Sequence, residues 1–179
     1  MRGNYSVFLA SVLVVALMLP AAAQEPAGML LSSTAFTEGA TVPNAYTCTG
    51  EDKSPPLVWT GVPAKAKSLA IIVKDPDAPG GTFIHWVLYN LPIKGSGLSE
   101  SVPQTSSGPE GALQGINGFG KFGYGGPCPP QGTLHHYHFV LYALDRTLEL
   151  GPRTTAAEVE SAAAGHVLAT AELTGIFQR

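Results

Sequence analysis

Ser68-Leu-Ala-Ile-Ile-Val-Lys74, the turn Asp75-Pro-Asp-Ala-Pro79 and Phe83-Ile-His-Trp-Val-Leu-Tyr-Asn-Leu91 decide the fold. Both apolar runs have strand rather than helix length. Both are rich in β-branched and aromatic residues, and the Pro- and Gly-bearing segment between them reads as a tight turn. Runs of the same kind recur at Leu57 to Thr60, His138 to Leu144 and Glu172 to Phe177, so the pattern predicts a mainly β protein. One helix is expected near the C-terminus. Thr155-Ala-Ala-Glu158 has the form of a capping box, and Val159, Ala162, Ala163, Val167 and Ala171 follow at helical spacing. Between Gly108 and Gly132 nine Gly and four Pro fall within 25 residues, a density that excludes helix. The aromatic residues Phe119, Phe122 and Tyr124 inside that stretch favour an ordered loop.

The chain has 179 residues, 10 Lys and Arg against 13 Asp and Glu, and no basic run, which argues against nucleic acid as a partner. Arg2, the apolar stretch Val7 to Leu19, Pro20 and Ala21-Ala-Ala23 form a signal-peptide pattern with cleavage expected after Ala23. The apolar stretch is short of the ~20 residues needed to span a bilayer as a helix. Residues 1–23 are therefore read as a leader and 24–179 as a single domain, periplasmic or secreted. Export to an oxidising compartment favours one Cys48–Cys128 disulfide, the alternative being two buried thiols.

Gly118-Phe-Gly120-Lys-Phe-Gly123 matches the G-x-G-x-x-G fingerprint, but it runs into Tyr-Gly-Gly-Pro-Cys-Pro-Pro130, where no helix can start to face a phosphate. A dinucleotide site is excluded on that ground. Four of the five histidines stand at His85, His135, His136 and His138. Strand alternation sends His135 and Tyr137 to one face, His136 and His138 to the other. His136-x-His138 lacks the acidic companion of a metal-binding barrel, so half-exposed strand histidines are favoured over a metal site and no cofactor is expected.

Asp75-Pro-Asp-Ala-Pro79, His85-Trp86, Gly123-Tyr-Gly-Gly-Pro-Cys-Pro-Pro130 and His135-His-Tyr137 occur in an order that resembles the phosphatidylethanolamine-binding protein family, the bacterial Raf-kinase-inhibitor-like branch in particular. The resemblance runs from about Phe36 to Arg179. It implies an antiparallel β-sandwich-like fold with a Greek-key element, and an anion pocket to which Asp75, Asp77, His85, Gly126, Pro129, Pro130, His135 and Tyr137 correspond. Where many eukaryotic relatives carry Gly before the Pro-Pro pair, this chain has Cys128. A family Tyr just before the His-Trp strand has no counterpart in Gly80-Gly-Thr-Phe83.

Between Asp75 and Tyr137 the only basic residues are Lys94 and Lys121, so an anion is expected to rest on His, Tyr and backbone N–H donors rather than on an Arg fork. Asp75 beside His85 is expected to orient that imidazole or raise its pKa. No G-x-S-x-G elbow or other evident nucleophile appears. The expected function is non-catalytic binding of phosphate-bearing groups, lipid head groups or phosphorylated side chains, with a kinase or protease as the target of any inhibitory action. The runner-up is a small metal-dependent or His/Asp hydrolase. Bacterial relatives point to a homodimer.

Overall fold

The structure is a computed structural model that describes Met1, residues 28–151 and residues 153–179. Apart from Met1, the leader read over residues 1–23 lies outside the described residues. Eight strands and one α-helix follow in the order β1 (Leu30–Ser32), β2 (Leu57–Thr60), β3 (Ser68–Asp75), β4 (Phe83–Leu91), β5 (Gly97–Leu98), β6 (Leu113–Gln114), β7 (Leu134–Leu144), α1 (Ala156–Ala163) and β8 (Val167–Gln178). A five-stranded sheet has the order β6-β4-β3-β7-β8 and a three-stranded sheet the order β1-β2-β5, with every pair antiparallel. The return of β7 to lie beside β3, after β3, β4 and β6 have been laid side by side, is the Greek-key element. Among the described residues no helix is long and apolar enough to cross a membrane.

β3 is apolar on both faces because both faces are covered. Leu69, Ile71 and Val73 join Trp86, Leu88, Phe139 and Leu141 in a core against Leu31, Leu57 and Trp59 of the small sheet. Ala70 and Ile72 face the other way, with Val87 and Tyr89, onto Val159 and Ala163 of α1. The sheet is thus the middle layer of three, which explains an unbroken apolar run where a one-sided strand would alternate.

β4 departs from regular pairing just where the candidate site begins. Val73 opposes Trp86 and Lys74 opposes Ile84, so His85 is an extra residue in a β-bulge. Strict alternation from the inward Trp86 would put His85 on the helix side with Val87. The bulge instead turns it to the face of Asp75 and Tyr137, 5.1 Å between the His85 and Tyr137 ring centroids.

The helix is shorter than its sequence signal. The capping box at Thr155 and Glu158 is formed, but α1 ends at Ala163, and Val167 and Ala171 belong to β8. Gly165, at φ +78, takes the left-handed conformation that turns the chain from α1 into β8. From there β8 pairs with β7 along nearly its whole length, and that ladder outweighs the local helical spacing.

Candidate functional site

Asp75 closes β3, His85 enters near the start of β4, and His135 and Tyr137 begin β7; pairing of these three strands puts all four on one face at one end of the large sheet. Beside them opens a cavity of about 430 Å³. Asp75, His85 and His135 form its polar floor, Phe83 and Phe119 an aromatic wall, and Ala78, Pro79, Cys128, Pro130 and Arg179 the rest.

The floor is buried and tightly bonded. Asp75 accepts the Asp77 backbone N–H on Oδ1 at 2.9 Å and meets Nδ1 of His135 with Oδ2 at 2.7 Å. The expected partnership of Asp75 with His85 is therefore corrected: Nε2 of His85 stands 4.0 Å from Asp75 Oδ2, beyond hydrogen-bond distance. His85 is oriented instead by the Gly125 carbonyl, 2.7 Å from its Nδ1. Its pKa moves opposite to the expected direction. Burial pushes the imidazole below its ordinary value, and the Gly125 carbonyl and Asp75 oppose that shift without reversing it. Phe83, Phe119 and Tyr137 all stand edge-on to the His85 ring, with centroids 5.1, 5.6 and 5.1 Å away.

Tyr137 lies beneath the floor rather than in the cavity wall, and its buried hydroxyl has no hydrogen-bond partner among the described residues. Burial first, and Asp75 second, raise its pKa well above the ordinary tyrosine range, so the hydroxyl keeps its proton.

Three further expected residues stand elsewhere. Asp77 turns outward, where its Oδ2 accepts the His136 backbone N–H and meets His136 Nδ1, both at 2.8 Å. Those bonds hold its carboxyl below the usual range. Strand parity explains this, because His136 points away from the cavity. Gly126 gives its N–H to Asp52 Oδ1 at 2.6 Å and lines a separate small cavity, so that N–H is not a donor to an anion beside His85. A Cβ at Gly126 would lie 2.5 Å from the Tyr46 carbonyl oxygen, which is why glycine stands there. Pro129 is buried behind the wall that Pro130 lines.

The structure also brings in residues that sequence reasoning passed over. Arg179, just past β8, lines the cavity and corrects the expectation of a site without arginine. No local pattern marks it, since only the β7–β8 register, which pairs Gln178 with Leu134, brings the next residue, Arg179, to the cavity. Phe119 is placed by Asn117, whose Oδ1 accepts the N–H groups of Phe119 and Lys121 while its Nδ2 donates to the Gly123 carbonyl. A lone Asn among glycines was the available signal. Cys48 and Cys128 form the disulfide, with Cα atoms 5.4 Å apart. Among the described residues no group of three or more His, Cys, Asp or Glu side chains has a geometry that could hold a metal ion.

Residues 32–178 match the model of a family described as phosphatidylethanolamine-binding protein. The chain belongs to that family. It is similar to a UPF0098 protein of Methanothermobacter thermautotrophicus, 49% identical over 84% of this chain and 99% of that protein. It is also similar to the UPF0098 protein PH1269 of Pyrococcus horikoshii, 41% identical over 100% of this chain and 91% of the relative. Among solved structures, E. coli YbcL, described as a new member of the mammalian family, superposes with a TM-score of 0.80 at 34% identity, covering 86% of this chain and 99% of its own. The homologue CT736 from Chlamydia trachomatis gives a TM-score of 0.77 at 41% identity, covering 85% and 98%. The antiparallel two-sheet fold is therefore that of the family.

Proposed function

We propose that this protein is a non-catalytic binding protein for small phosphate-bearing ligands, a phospholipid head group or a phosphorylated group on a partner, acting as a single exported domain in the periplasm or outside the cell. The observation that carries the proposal is the convergence of His85, His135 and Arg179 on one half-open cavity whose floor is fixed by the buried Asp75. A guanidinium, and two imidazoles able to take a second proton, suit a compact oxyanion, and Phe83 and Phe119 suit the apolar part of an ester. Among the described residues no serine, threonine or free cysteine lines the cavity, so the binding reading is preferred to covalent hydrolysis. Recognition of a phosphorylated protein group at this cavity is the route by which the protein would modulate a kinase or protease.

Titration with phosphoethanolamine, followed by amide NMR shifts, tests this reading. His135→Ala should weaken binding by about 1 to 3 kcal/mol. His136→Ala, on the opposite face of β7, should leave it intact. His135→Asn, which keeps a donor toward Asp75, separates lost binding from lost folding. Equal sensitivity at positions 135 and 136, or no shifts at millimolar ligand, would refute the assignment.

A further inference from the structure

We propose that the cavity selects phosphomonoesters over phosphodiesters, takes up one proton with each monoester it binds, and uses Arg179 as the cation that holds the ester's second negative charge. This rests on the phosphate-binding reading above and narrows its ligand class.

The protonation pattern follows from the partners of the two rings. Nδ1 of His85 faces the Gly125 carbonyl and Nδ1 of His135 faces the Asp75 carboxylate, each at 2.7 Å. A carbonyl and a carboxylate only accept, so both Nδ1 atoms carry the hydrogen. A neutral imidazole has one N–H. In its neutral form each ring therefore leaves Nε2 as a bare lone pair, on residues that both line the cavity. With the rings neutral, the floor presents imidazole acceptors beside a carboxylate, which disfavours a bare anion until a proton is supplied on the ester or on a ring.

Charged and titratable groups around the rings reinforce this. Asp75 on β3 touches His135, Asp52 in the loop before β2 acts on His85 at longer range, and the protonated Tyr137 packs against both rings. Cys128 is held in the disulfide and does not titrate. Among the described residues Arg179 is the only cationic side chain in the cavity wall. Its Nη1 donates to Cys128 Sγ at 3.5 Å, a weak acceptor, and among the described residues its guanidinium forms no salt bridge, which leaves the fork available.

A phosphomonoester has its second ionisation near pH 6. It enters either as the monoanion, whose P–OH donates to a bare Nε2, or as the dianion opposite an imidazolium. Both routes carry one proton, and in the second the extra negative charge rests on Arg179. A phosphodiester has no P–OH and a single charge. Its proton must come onto an imidazole, which burial resists at His85.

NMR titrations of the full chain with methyl phosphate and with dimethyl phosphate, from about pH 6.5 to about pH 8.5, test this. Methyl phosphate should bind about ten-fold more tightly than dimethyl phosphate near pH 7. Its Kd should rise about ten-fold per pH unit above about pH 7, the mark of one linked proton. Arg179→Gln removes only the contact to Cys128 sulfur and should abolish the preference for the monoester, whereas Arg179→Lys should keep part of it. Equal affinity for the two esters, or a Kd for methyl phosphate that is flat with pH, would overturn the proposal while leaving phosphate binding in place. If neither ester moves any resonance, the phosphate-binding reading falls as well.

Discussion

His85 and Asp75 show how one buried cluster settles the charge state of its members. His85 loses solvation on folding, and the Gly125 carbonyl satisfies only one of its nitrogens, so the neutral ring is favoured. An unfolded imidazole titrates near pH 6.5, and the folded one titrates lower. Below about pH 6.5 the unfolded chain therefore binds a proton that the native state refuses. The stability tied to this group is complete above that pH and is lost as the pH falls from there. Denaturant melts near pH 7.5 and near pH 5.5 should show a larger acid loss in the native protein than in His85→Gln, whose amide can still donate to Gly125. An unchanged or steeper acid loss in the variant would contradict the assigned direction.

At the scale of elements, a bulge and a cap do the positioning. Because His85 is the extra residue opposite the Val73–Lys74 step, β4 can bury Trp86 and aim His85 at the same face. α1 is only eight residues long and relies on its cap: Thr155 accepts the Glu158 N–H while Glu158 accepts the Thr155 N–H at 2.8 Å. Thr155→Ala should cost about 1 kcal/mol and lower Tm by about 2 to 4 °C, read by calorimetry. A change within error would mean that packing of Val159 and Ala163 on the sheet holds the helix without the cap. These elements also mark how far the sequence could be read. β2 and β4 are legible to the residue, since their apolar runs are bounded by turns. The start of β7 is not, because His135 to His138 alternate between a buried polar floor and an exposed face and so carry no apolar signal. In β8, Val167 and Ala171 continue the helical spacing of α1, and only the ladder with β7 makes them strand. Of the candidate site, Asp75, His85 and His135 are pointed to by the family resemblance, and His135 by strand parity as well. Arg179 and Asp52 are not, because each arrives through contacts far apart in sequence.

Across the whole molecule, the disulfide ties the loop before β2 to the loop before β7 over a separation of 80 residues. Closing a loop of that length removes about 4.5 kcal/mol of chain entropy from the unfolded state in the loop-closure model. Thiol titration of denatured, unreduced protein from an oxidising compartment should find no free thiol, and reduction should lower Tm by about 10 °C. Two free thiols would overturn the pairing.

The same span of chain bears on when binding becomes possible. The cavity takes its wall from position 75 through position 179, and its floor needs β3, β4 and β7 already laid side by side. A nascent chain still short of β8 has neither the arginine nor the strand that seats β7 on its outer edge. Under the proposed function, recognition is thus a property of the finished ladder: during synthesis the half-made molecule has no place to hold a phosphate ester.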